Sequence, residues 1–197
     1  MATGTLHAAN VNFDADRHIA RWRPFVQVIL AVPHLIVANA LSTVREILLL
    51  ISAVAVLFTE RIPRPLFDAI AMTYRYEWRV LSYALFLHDD YPPFEFSPDA
   101  DDDGHEPHTT LTLSYPEHLN RWKPLYKWFL AIPHYAVCLA LAVASIPVVL
   151  WSLLAVVVTG EFPDRARTFL VGTYRYGLRV QTYIVLSDQY PPFRMTE

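Results

Sequence analysis

Two long apolar stretches, Pro24–Phe58 and Pro124–Thr159, dominate the hydropathy pattern of the chain, and each carries very few charges. A single helix of about 35 residues would rise roughly 50 Å, whereas the hydrocarbon core of a bilayer is about 30 Å thick. The pattern therefore predicts a break in the middle of each stretch and two helical legs on either side of it. The break is marked by Ser42-Thr43-Val44-Arg45-Glu46 in the first stretch and by Ser145-Ile146-Pro147 in the second, with proline favouring a helix start. The expected legs are Pro24–Leu41, Ile47–Thr59, Pro124–Val143 and Pro147–Thr159. Four short transmembrane helices in two hairpins are the leading expectation, because irregular backbone exposed to lipid is not tolerated at depth. Re-entrant hairpins that dip in and return are the alternative.

A second kind of helix follows each stretch, near Pro65–His88 and Arg165–Ser187. In the first, Asp68, Met72, Arg75, Arg79 and Ser82 recur at spacings of three and four, opposite Phe67, Ile70, Ala71, Tyr74, Trp78, Leu81 and Leu85. Such amphipathic helices, rich in Arg and aromatics, have the profile of elements lying in the membrane interface. Tyr-Pro-Pro-Phe ends each one, since proline removes a donor and disfavours helix before it. Ahead of each stretch, Asn10–Phe13 and Thr109–Tyr115 alternate with the period of a strand. The fold class expected is an all-α integral membrane protein with short extramembrane strands.

The chain repeats itself. Arg21-Trp22-Arg23-Pro24 returns as Arg121-Trp122-Lys123-Pro124, and Leu30-Ala31-Val32-Pro33-His34 as Leu130-Ala131-Ile132-Pro133-His134. Thr73-Tyr74-Arg75-Tyr76 and Arg79-Val80 return as Thr173-Tyr174-Arg175-Tyr176 and Arg179-Val180. Tyr91–Phe94 returns as Tyr190–Phe193, one residue short of the offset of 100 held until then. Tandem duplication is the reading. It gives repeat 1 over 1–96, an acidic linker over 97–108 and repeat 2 over 109–197. The linker SPDADDDGHEPH resembles the start of a calcium loop at Asp99, Asp101, Asp103 and Gly104, but the twelfth position is Thr110 rather than Glu. A solvated linker is the better account.

Composition sharpens this picture. The chain of 197 residues is 54% apolar and 18% charged, with a mean hydropathy of +0.25. A soluble domain carries about a quarter charged residues. The net charge of −3 argues against a nucleic-acid partner. The one cysteine, Cys138, allows no internal disulfide. Met1–Ala9 lacks the basic start and apolar core of a signal peptide. Every Lys and Arg except Arg45 flanks the open ends of the hairpins, so the positive-inside rule predicts a multi-pass protein of the inner (plasma) membrane with both termini cytoplasmic. Both repeats would then share one orientation, with a pseudo-two-fold axis along the membrane normal.

The Pro-His of the first leg, Thr159-Gly160-Glu161-Phe162-Pro163, Tyr-Arg-Tyr-x-x-Arg-Val and the closing Tyr-Pro-Pro-Phe resemble the bacterial membrane family known as domain of unknown function 4389. The resemblance covers nearly the whole chain in two copies. In the first copy Thr59-Glu60-Arg61-Ile62-Pro63 has lost the glycine. The resemblance implies a small bacterial membrane protein, and no reaction, cofactor or catalytic residue comes with it.

Candidate functional residues follow from these placements. His34 and His134 each follow a proline inside an apolar leg; an ionisable group at membrane depth is a functional candidate by default. Together they could ligate haem or metal, or carry protons. The plainer expectation is that each bonds a carbonyl freed by a proline kink, or sits shallow. Arg21, Trp22, Arg75, Arg79, Arg121, Trp122, Arg175 and Arg179 are expected contacts for anionic lipid headgroups or a partner, with snorkelling and topology control as the alternative. Tyr91, Phe94, Tyr190 and Phe193 could dock a partner, although a rigid stop folding its rings back onto the helix is the simpler reading. Arg45-Glu46 would be an ion pair at a hairpin tip or an external contact. Hydrolase, phosphate-loop, Cys-x-x-Cys and zinc-protease signatures are missing from the sequence, so no catalytic residue and no cofactor are assigned. The function expected is a non-catalytic accessory or scaffold subunit, associating with the bilayer and with other membrane subunits or itself. A small transporter or channel is the alternative, and a haem or metal carrier on His34 and His134 the third.

Overall fold

The computed structural model describes residues 9–16, 18–97 and 108–195. The acidic linker and the calcium-loop resemblance at Asp99–Gly104 lie outside these described residues, apart from Ser97 and His108. Seven elements follow in order: β1 (Ala9–Phe13), α1 (Arg23–Thr59), α2 (Arg64–Ala84), β2 (Thr109–Leu113), α3 (Lys123–Leu130), α4 (Ile132–Thr159) and α5 (Asp164–Val185).

The predicted hairpin in the first apolar stretch is not formed. α1 is a single helix of 37 residues that runs through Ser42–Glu46 without a turn. The hydroxyls that suggested a break fold back on the helix: Ser42 and Thr43 donate to the Asn39 carbonyl at 2.8 and 3.1 Å. Bonds of this kind let polar side chains ride within a helix. In the second stretch Pro147 lies inside α4 rather than at its start, and Ser145 donates back to Leu141. The helix is interrupted only at Ala131, between α3 and α4. Two helices, Arg23–Thr59 and Ile132–Thr159, are long and apolar enough to cross a membrane, where four were expected.

The turns leaving these helices follow one geometry. Gly160 takes a left-handed φ of 79°, and Glu60, where the glycine is lost, takes φ 59°. Glu60 thus adopts the left-handed conformation without the glycine that favours it.

α1 packs along α2, and α4 along α5. The strands form an antiparallel ribbon in which Val11 faces Leu111 at the centre. Each strand docks on the other half's amphipathic helix, β1 on α5 and β2 on α2. The loops are exchanged in the same way: Ile19 N–H donates to the Gly160 carbonyl at 3.0 Å, and Leu119 N–H to the Glu60 carbonyl at 2.9 Å. The start of α1 thus meets the end of α4, while the end of α1 meets the approach to α3. The two long helices are therefore antiparallel, which excludes the shared orientation expected from charge placement.

The result is three layers: α1 with α3 and α4, then α2 with α5, then the ribbon. Among the described residues, neither α1 nor α4 packs against the ribbon. The middle layer holds the core, built on Phe67, Ile70, Tyr74, Trp78, Leu170 and Leu178. α2 and α5 are thus interior rather than interfacial. Arg75, Arg79 and Ser82, expected on a wet strip, are buried with the aromatic face.

Candidate functional site

Halfway along α1 the chain places a charge inside the molecule. The Arg45 side chain is 8% exposed, and its guanidinium pairs with the Glu77 carboxylate of α2. The same guanidinium lies over the Tyr74 ring, 4.1 Å from the centroid, a contact that strengthens when water is excluded. Tyr74 is buried, and its hydroxyl finds no hydrogen-bond partner among the described residues. Burial pushes that phenol above its usual range, so it stays a neutral donor. Tyr174 of α5 stacks on Trp78 at 4.4 Å and donates to the Tyr74 carbonyl, joining the halves at this point. A groove of about 570 Å³ opens beside Arg45, lined by Leu49, Tyr74, Trp128, Tyr135 and Gln181. A smaller one of about 210 Å³ lies beside Glu77, lined by Cys138, Tyr174, Gly177 and Gln181.

Toward the helix ends two matching boxes close around the histidines. His34 is fully buried; its Nδ1 is 2.9 Å from the Tyr76 hydroxyl. Phe94 stacks on the imidazole at 4.0 Å, and Tyr91 meets it edge-on at 4.7 Å. Around His134 the partners are Tyr176 at 2.7 Å, Phe193 at 4.1 Å and Tyr190 at 4.8 Å. The histidines therefore bond a tyrosine, not a carbonyl freed by a proline. Tyr-Pro-Pro-Phe folds its rings back onto the first helix, which explains why Pro-His, Tyr-Arg-Tyr and Tyr-Pro-Pro-Phe occur together. Among the described residues no group of three or more His, Cys, Asp and Glu side chains could hold a metal.

Compared with protein families, the stretch 21–95 matches the model of DUF4389, a domain of unknown function. Residues 21–95 are thus similar to this family, over less than half of the chain. No curated protein and no solved structure matches the chain. The DUF4389 segment contains the whole His34 box and both members of the Arg45–Glu77 pair. Outside it lie β2 and Tyr174, which cover its second helix, and Leu119, which satisfies its turn.

The residues expected at lipid or a partner divide in two. Arg21, Trp22, Arg121 and Trp122 stand exposed at the starts of the long helices, with Trp22 at 59% and Trp122 at 65%. Arg75, Arg79 and Arg179 are buried, so they do not offer their charge to headgroups. Arg79 pairs with Glu95 at 3.2 Å, and the half-buried Arg175 donates to the Val11 carbonyl at 2.7 Å. Tyr91, Phe94, Tyr190 and Phe193 keep one surface outward while packing on the histidines.

Sequence reasoning gave Arg45 to a hairpin tip and passed over Glu77. The available signal was that neither charge recurs in the second half, where Ser145 and Gly177 stand at the matching positions. Lys127 was missed too. It is buried, donates to the Ser187 carbonyl at 2.8 Å and pairs with Asp188 at 2.7 Å. Its counterpart Gln27 donates to the Tyr83 and His88 carbonyls.

Proposed function

We propose that the chain is a membrane-embedded, non-catalytic accessory or scaffold protein of the plasma membrane, with both termini cytoplasmic, that holds on through the outer faces of α1 and α4. The observation that supports this reading most is the contrast between the two sides of those helices. Inward they present a narrow stripe, Gln27, His34, Arg45 and Ser52 among it, that α2 and its neighbours cover. Outward, large apolar side chains such as Phe25, Ile36, Leu50, Phe58, Leu139 and Trp151 are bare. Such a surface cannot stay in water. Its natural cover is lipid, or lipid shared with another membrane subunit or a second copy. Stacked rings close the histidine boxes, and Glu77 balances the charge of Arg45.

The test is extraction. The protein should stay with membranes through carbonate and high-salt washes and leave them only with detergent. Purified in mild detergent from crosslinked cells, it should carry a stoichiometric partner or a second copy at α1 or α4. Release by carbonate alone would end the membrane reading, and a solitary monomer under crosslinking would end the scaffold role.

The groove beside Arg45 supports a second reading, a carrier of small lipophiles. Its walls are mostly apolar, while Arg45, Glu46 and Gln181 give it polar points. Saturable uptake of a neutral lipid probe into proteoliposomes, reduced by Gln181→Leu, would favour this over the scaffold.

A further inference from the structure

We infer that the molecule does not cross the bilayer but lies on one leaflet, with α1 and the α3–α4 pair side by side in the membrane plane and the strand ribbon facing water. This rests on the membrane attachment proposed above and adds its geometry. Three independent observations carry it.

Depth comes first. α5 is pinned to its long partner at both ends: the turn at Gly160 joins α4 to α5, and Lys127 of α3 grips the Ser187 carbonyl. The middle of α5 is therefore level with the middle of α3–α4. There Arg175 holds Val11, the centre of the ribbon. If the long helices stood upright, the ribbon would sit at mid-bilayer. Its open edges and its outward Asn10, Asn12 and Thr112 would then face hydrocarbon. Unsatisfied backbone groups cost several kcal/mol each in that medium, and open sheet edges do not occur there.

Length is second. α1 has 37 residues and rises ~55 Å, so fitting it across a core of about 30 Å needs a tilt of roughly 55°. Spanning helices tilt by about 0–40°.

Charge is third. Because the long helices are antiparallel, exposed arginines gather at both ends of the pair: Arg21 with Arg165, and Arg61, Arg64 and Arg121 at the other. Standing upright, the molecule would place a basic cluster on each side of the membrane, against the bias of Lys and Arg to one side. Lying flat, both clusters meet the same headgroups, with Trp22 and Trp122 beside them at interface level.

Depth measured along α1 tests this. Phe25, Ile36, Ile47 and Phe58 are exposed and 11 residues apart, which keeps them close to one face of the helix. Each would be changed singly to Cys in the full chain carrying Cys138→Ala, spin-labelled, and reconstituted in vesicles of phosphatidylcholine and phosphatidylglycerol. Collision with oxygen and with a water-soluble nickel chelate reports depth. The expected result is one depth at all four sites, within a few Å, with a label at Asn12→Cys open to water. A profile in which the two middle sites lie ~10 Å or more deeper than the outer ones would overturn the flat orientation and leave membrane attachment standing. Failure of the protein to float with vesicles would overturn both.

Discussion

The two halves of the chain share a frame and differ in what they bury. Each folds a histidine under a Tyr-Pro-Pro-Phe cover and turns through a left-handed residue. Only the first half places an arginine and a glutamate in its middle; the second has Ser145 and Gly177 there, beside an open space of about 210 Å³. Near the starts of the long helices the asymmetry reverses. Lys127 with Asp188 is an ion pair, whereas Gln27 meets two carbonyls without charge. The halves agree at the histidine boxes and at arginines such as Arg75 and Arg175, and differ at the charges buried beside the long helices. Whatever is particular to this protein is thus sought where the halves disagree, around Arg45.

That comparison can be broken most severely at the central pair. Glu77→Gln leaves a buried guanidinium without its counter-charge and should cost about 3–5 kcal/mol in urea unfolding measured in detergent. The double variant Arg45→Ser with Glu77→Gly copies the second half and should cost clearly less than either single change. Equal costs would mean that the pair does not act as a unit.

The next effect is a pH dependence present in one half only. His88 is buried, and desolvation together with nearby His108 lowers its pKa to about 4. In the unfolded chain it titrates near 6.5. Between those values the unfolded state takes up a proton that the folded state refuses, so stability falls as pH drops from about 6.5 toward 4, by up to about 3 kcal/mol. Ser187 occupies the matching place, and His88→Ser should flatten the dependence over that window.

The histidine boxes should behave alike. His34→Leu and His134→Leu each strand a tyrosine hydroxyl and weaken ring stacking, for a loss of about 2–3 kcal/mol apiece. A loss in only one would show that the matching distances conceal unequal roles. The smallest effect sits in the turns. Gly160→Ala should cost about 1 kcal/mol by straining a left-handed residue, while Glu60→Gly relieves strain but gives up the exposed pair with Arg121, leaving a change near zero.

Much of the frame was legible in the chain because it is written in local periodicity. The strands at Asn10–Phe13 and Thr109–Tyr115, and the amphipathic helices after each apolar stretch, all form within a few residues of where the pattern put them. The hairpins were not legible, because Arg45-Glu46 amid apolar residues looks like a wet tip until Glu77, 32 positions away, is seen to neutralise it. The boxes combine side chains 42 residues apart with a motif farther on, and periodicity within one helix carries no record of that meeting. Nor could charge counting reveal that the long helices run in opposite directions, which depends on loops hydrogen-bonded across the halves.

Those exchanged loops and strands make each half the lid of the other. A single unit made alone would expose the bed on its amphipathic helix where a foreign strand belongs, and a sister molecule could fill that place in return. The covalent tie between residues 97 and 108 then works as a leash, raising the local concentration of a partner that the fold already recognises. Two fragments cut within that leash and expressed together should find each other and rebuild the parent.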